Sequence, residues 1–158
     1  MDAVALSGSA LLKILKACAG GTAVSGVLTG IELETAVHVE CAVAVPPEAP
    51  STWLVDMLKL IAAVNASDHQ VGLFAAMPSD QVLGGEQESA GFWLRIISEL
   101  AVAQTKNPRA VLVLCDPQKI TLGLNSIKAF RLSCEFLSLY KLKQKNHLDT
   151  SPLLKKNE

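Results

Sequence analysis

The sequence predicts an α/β domain, a mixed sheet flanked by helices, and three features of the chain carry that reading. Helical and strand periodicities take turns along its length, the pattern of a sheet with helices packed on it. One continuous apolar run, Ala110–Cys115, has the character of a strand buried on both faces. The 158 residues hold no internal repeat and suffice for one domain with a full core.

Taken in order, Ser9–Ala19 is expected as a helix. Leu11, Leu12, Leu15 and Cys18 would share its inner face, Lys13 and Lys16 would turn away, and Gly20–Gly21 would end it. Thr22–Glu32 and Ala36–Val45 read as two strands of a hairpin, hinged at Glu32–Thr35. Pro46, Pro47 and Pro50 then hold the chain extended. Ser51 or Thr52 can cap a helix over Thr52–Asn65. His69–Phe74 is a short strand and Ala75–Gly85 an irregular loop. Glu86–Gln104 is a long amphipathic helix with Phe92, Trp93, Ile96, Ile97 and Leu100 inward. After Ala110–Cys115 comes a turn around Asp116–Thr121, a strand over Gly123–Leu132, and a last helical run, Glu135–Lys145. The domain is expected over residues 7–134, the C-terminal helix over 135–146, and a polar, flexible tail over 147–158.

Composition narrows the function. Half the residues are hydrophobic and only 18% charged, with a mean hydropathy of +0.35. A free-standing domain carries about 25% charged residues, so much of this surface is expected to lie against other chains. No apolar run reaches the ~20 residues of a membrane span, and the N-terminus lacks the basic and apolar regions of a signal peptide. A net charge of −1 leaves no nucleic-acid footprint. Lys141, Lys143, Lys145, Lys155 and Lys156 could meet phosphate, but Glu135, Asp149 and Glu158 dilute them and no aromatics interleave. Direct RNA contact is therefore not expected, and the C-terminus is where it would occur.

Known catalytic signatures are missing. Gly20–Gly21 and Gly84–Gly85 lack the Lys-Ser/Thr of a phosphate loop, and no G-x-G-x-x-G opens a helix. There is no G-x-S-x-G elbow, and His38, His69 and His147 are scattered. Cys18, Cys41, Cys115 and Cys134 form no C-x-x-C pair, which fits buried thiols in a reducing compartment better than a zinc finger.

The helix Thr52–Asn65 is the unusual element. Trp53, Met57, Leu60 and Val64 form one apolar stripe, and Leu54, Leu58 and Ile61 a second beside it; only Asp56 and Lys59 mark a polar side. Packing on one core needs one stripe. Trp53, Met57, Leu60 and Ile61 are accordingly expected to meet a partner.

Two segments, together with the element order, resemble a known family. Val71-Gly72-Leu73-Phe74-Ala75-Ala76-Met77-Pro78 is similar to a strand end that reads Val-Gly-Trp-Tyr-His-Ser-His-Pro in active members of the MPN, or JAB1/Mov34, domain family. Val111-Leu112-Val113-Leu114-Cys115-Asp116-Pro117-Gln118-Lys119, followed by Gly123 and Ser126-Ile127-Lys128-Ala129-Phe130-Arg131-Leu132, is similar to that family's buried strand, Asp-Pro turn and closing strand. Gly26-Val27-Leu28-Thr29-Gly30 resembles its Gly-Leu-Leu-Leu-Gly strand. The resemblance spans Ser9 to Leu132 and implies an MPN-type, cytidine-deaminase-like fold.

Active members are zinc isopeptidases, with two histidines and an aspartate on the metal and a glutamate as general base. By the same resemblance, Ala75 and Met77 stand at the two histidines, Gly85 at a supporting serine and Ala23 at the glutamate. Glu88 alone keeps a carboxylate, near the aspartate position. One carboxylate does not hold zinc. The chain is therefore expected to be no enzyme and to carry no metal or cofactor. Inactive members occur in the proteasome lid, the COP9 signalosome and translation initiation factor 3, and the second segment is most similar to the inactive members of the last. That implies a cytoplasmic scaffold whose partners are other initiation factor 3 subunits, especially a second MPN subunit, and through them the small ribosomal subunit. The alternative is a scaffold of the lid or the signalosome, beside an active isopeptidase.

Overall fold

Six strands form one mixed sheet in the computed structural model, which describes residues 3–20, 22–50, 52–76, 86–122 and 126–150. In chain order the elements are β1 (Ala3–Leu6), α1 (Gly8–Cys18), β2 (Val24–Glu32), β3 (Ala36–Ala44), α2 (Trp53–Val64) and β4 (His69–Ala76). Then come α3 (Glu86–Lys106), β5 (Val111–Cys115), α4 (Pro117–Thr121), β6 (Ile127–Phe130) and α5 (Cys134–Thr150). Across the sheet the order is β1-β3-β2-β4-β5-β6. β1 runs parallel to β3 and β4 parallel to β5, while the other neighbours are antiparallel.

Alternation along the strands divides the core in two. Leu28, Val39, Phe74, Val111 and Val113 face α1, which contributes Ala10, Ile14 and Cys18. Val27, Leu73, Ala75 and Leu112 face the other way, onto Ile96 and Leu100 of α3, with Leu54 and Leu58 of α2 packed alongside. The neighbours Val27/Leu28, Leu73/Phe74 and Leu112/Val113 each split between the two layers.

Two bulges keep that alternation in step. Opposite Thr29 and Gly30 of β2, β3 carries one extra residue, Glu40. Opposite Leu28 and Thr29, β4 carries another, Val71. A one-residue slip turns every later side chain over. The Glu40 insertion is why Ala42 joins Val37 and Val39 on the α1 side although it lies an odd number of residues from both. Val71 likewise shares that side with Phe74 and Ala76. At Gly72 the strands approach so closely that a Cβ would lie 2.2 Å from the Val111 carbonyl oxygen.

The ends of the helices follow local chemistry. Ser7 caps α1: its Oγ accepts from the Ala10 N–H at 3.0 Å and donates to the Glu40 carbonyl at 2.8 Å. Asp116 caps α4 by accepting from Gln118 N–H at 3.1 Å, with Pro117 at the first helical position. Thr52 makes no such side-chain bond at α2, which starts instead on a Trp53 N–H to Pro50 carbonyl bond of 2.9 Å.

Several expectations are corrected. A strand that the periodicity does not reveal, β1 over Ala3–Leu6, pairs with β3. The inner face of α1 is Ala10–Ile14–Cys18, and Leu12 is 68% exposed. β4 continues through Ala75 and Ala76, because both still pair with β2 and β5. The Asp116–Thr121 turn closes into the short helix α4. The closing strand is only Ile127–Phe130, and Gly123 lies outside the described residues. The last helix, expected over Glu135–Lys145, spans Cys134–Thr150. Of the four free cysteines only Cys18 and Cys115 are buried; Cys41 is half-buried and Cys134 exposed. Cys18 and Cys115 lie together in the α1 layer, where the contact with Cys115 and burial push the Cys18 thiol up.

Candidate functional site

Of the positions singled out from the sequence, Ala23 and Ala75 are described and lie near one end of the β2–β4 pair. β2 begins where β4 ends, with Val24 opposite Ala76 and Ser25 opposite Ala75. Ala23 stands just ahead of β2 and is exposed. Ala75 is fully buried, in the layer that packs against Ile96 and Leu100 of α3. Glu88 sits in the first turn of α3. Its side chain, and all of Met77 and Gly85, lie outside the described residues. Ala23, exposed, and Ala75, buried, thus lie near one end of the β2–β4 pair, and their methyl groups offer no lone pair for a metal or a proton.

Beside this end opens a groove of about 470 Å³, lined among others by Ala23, Ser25, Pro46, Trp53, Phe92 and Arg95. Arg95 organises it. Its guanidinium donates to Ser25 Oγ at 3.3 Å, lies 3.8 Å from Glu99, and sits over the Phe92 ring at 5.5 Å. Phe92 and Trp93 meet edge to face, centroids 5.4 Å apart. The i, i+3 spacing of Phe92 and Arg95 and the i, i+4 spacing of Arg95 and Glu99 signal these contacts in the sequence. They belong to no known motif, and a search by motif passes over them. The groove offers apolar and hydrogen-bonding surface, with its cation already paired to a carboxylate.

Among the described side chains, the histidines stay apart. His38 lies on β3, and His69, at the far end of β4 from Ala75, has Nε2 3.3 Å from the Glu32 carboxylate, which also accepts from Asn107. Among the described residues, no three His, Cys, Asp or Glu side chains converge as a metal site would require.

α2 borders the groove with a different surface. None of its twelve residues is buried. Leu54 and Leu58 turn inward, which assigns that stripe to the domain's own core. Trp53 lines the groove, and Trp53, Met57 and Ile61 are half-buried. Val55 is 52% exposed, Leu60 63% and Val64 90%. The helix therefore carries apolar area on its outer side, punctuated only by the exposed Asp56–Lys59 pair, 3.9 Å apart. No described helix is long and apolar enough to cross a membrane.

With this geometry in hand, comparison with known proteins gives two relatives. The chain is 29% identical over 161 residues to the H subunit of eukaryotic translation initiation factor 3 from Arabidopsis thaliana, covering 90% of this chain and 45% of the relative. To the same-named protein of Dictyostelium discoideum it is 26% identical over 151 residues, covering 89% of this chain and 45% of the relative. The chain thus spans about half the length of the curated relatives it matches. No family model matches it. Both relatives are subunits of initiation factor 3, the assembly whose inactive members the Val111–Leu132 segment resembles most, and the chain is similar to them along most of its length.

Proposed function

We propose that this chain is a non-catalytic MPN scaffold of translation initiation factor 3, pairing through α2 with a second MPN subunit and supporting recruitment of the small ribosomal subunit in the cytoplasm. The observation that carries the reading is the match to two initiation factor subunits over about nine-tenths of the chain. The mixed sheet, with β2 and β4 central and antiparallel, is compatible with an MPN fold. Ala75 and Ala23 support a scaffold without chemistry. The relatives favour the initiation factor over the proteasome lid or the signalosome as the assembly.

The partner test is a single charge. Met57→Glu on α2 leaves the free domain folded, by circular dichroism, and abolishes co-purification with the second MPN subunit when the two are co-expressed. A folded variant that pairs with full affinity refutes the α2 interface, while native mass spectrometry finding lid or signalosome subunits instead refutes the assembly. Zinc is tested separately: elemental analysis after dialysis against a mild chelator finds no stoichiometric zinc, since Glu88 and water alone hold it too weakly. About one zinc per chain would overturn the reading of these positions.

A further inference from the structure

We infer that Lys13 and Cys41 form a modification site, at which peroxide oxidation closes a reversible nitrogen–sulfur bond between α1 and β3. The observation is a juxtaposition of two nucleophiles: Lys13 Nζ lies 3.0 Å from Cys41 Sγ. Cys41 follows the Glu40 bulge on β3, and Lys13 stands on the exposed side of α1, so the pair joins elements 28 residues apart. The other cysteines are placed differently. Cys18 and Cys115 are enclosed in the core, and Cys134 stands exposed on α5. Cys41 is half-buried, open enough for a small oxidant and held against an amine.

The chemistry balances with a hydroperoxide as the only co-reactant. The Cys41 sulfur attacks hydrogen peroxide, breaking the O–O bond; the thiol becomes a sulfenic acid and one water leaves. A sulfenic acid condenses with a nearby nitrogen. Here the neutral amine of Lys13, having released its ammonium proton to solvent, attacks the sulfenic sulfur. The N–S bond forms, the S–O bond breaks, and a second water departs. Two equivalents of a thiol reverse the bond, restoring Cys41 and Lys13 and leaving one disulfide of the reductant. The flexible four-carbon stem of lysine lets the nitrogen close onto sulfur without moving the helix. The product is a strap between α1 and β3, on the layer of the sheet away from α2.

The test is peptide mass spectrometry on the full chain after hydrogen peroxide treatment, without reductant. The expected species joins the Lys13 and Cys41 peptides at their summed mass less two hydrogens, and dithiothreitol removes it. Cys41→Ser abolishes it. Lys13→Arg keeps the cation but removes the condensing amine, so the joined species disappears and Cys41 becomes labelled by a sulfenic acid trap such as dimedone. Equal dimedone labelling of Cys41 in the unaltered chain and in Lys13→Arg, or Cys41 recovered only as sulfinic acid without the joined peptides, overturns the inference.

Discussion

α1 and α2 are helices of similar length on the same sheet, and they are buried in opposite ways. α1 places Ala10, Ile14 and Cys18 at 1% exposure or less, whereas no residue of α2 is buried at all. Their sequences would suggest the reverse, since Trp-Leu-Val-Asp-Met-Leu-Lys-Leu-Ile-Ala-Ala-Val is far more apolar than the lysine-bearing α1. The difference teaches that apolar content measures what a helix could bury, and the sheet decides what it does bury. α1 uses a narrow, small-residue stripe for close packing. α2 holds apolar area in reserve.

Three substitutions probe that contrast. Ile14→Ala empties a site with no exposure and is expected to cost about 2–5 kcal/mol in denaturant unfolding. A loss below ~1 kcal/mol would mean that the α1 layer closes over the gap, and the contrast with α2 would weaken. Gly72→Ala drives a Cβ against the Val111 carbonyl and is expected to cost about 1–3 kcal/mol through strand displacement. Neutrality there would show that β4 and β5 slide freely, so that the division into two layers is softer than drawn. Leu60→Ala is expected to change the free domain by no more than ~0.5 kcal/mol, because the side chain already lies mostly in solvent. The same variant is expected to weaken pairing with a partner by more than its effect on folding, read by titration calorimetry. If Leu60→Ala and Ile14→Ala destabilise the free domain equally, α2 is a core helix like α1.

Most of the sheet is legible in the sequence because its strands announce themselves: Ala110–Cys115 and the hairpin around Glu32–Thr35 appear close to their expected positions. β1 is concealed, a four-residue strand beside the chain start that relies on pairing with β3 for its existence. The inner face of α1 is hard to read because Leu11 and Leu12 outweigh Ala10 in any count of large apolar residues. Yet only a small residue lets that helix sit close to the strands. The end of β4 reads as loop because Ala75 and Ala76 have weak strand propensity, and pairing on both sides overrides it. At the candidate site, the correspondence of Ala23 and Ala75 comes from resemblance, and the register shows only that Ala75 pairs with Ser25, two residues beyond Ala23. The Arg95 cluster is written in helical spacing but has no motif to draw attention to it. The rotation of α2, which no pattern of two adjacent stripes can decide, emerges only from the inward turn of Leu54 and Leu58.

The two bulges have a consequence for anyone who would graft pieces of this sheet onto another protein. Glu40 and Val71 act like single-letter insertions in a code read two residues at a time, one on each side of β2. A chimera that exchanges β3 or β4 across its bulge must carry the extra residue with it. Otherwise every side chain beyond the junction is inverted, and Ala42, for one, leaves the α1 layer for the opposite face. A segment exchanged wholly on one side of the bulges keeps its phase and needs no such care. The safe points for recombination in this domain are set by that parity, more than by where its helices and strands begin.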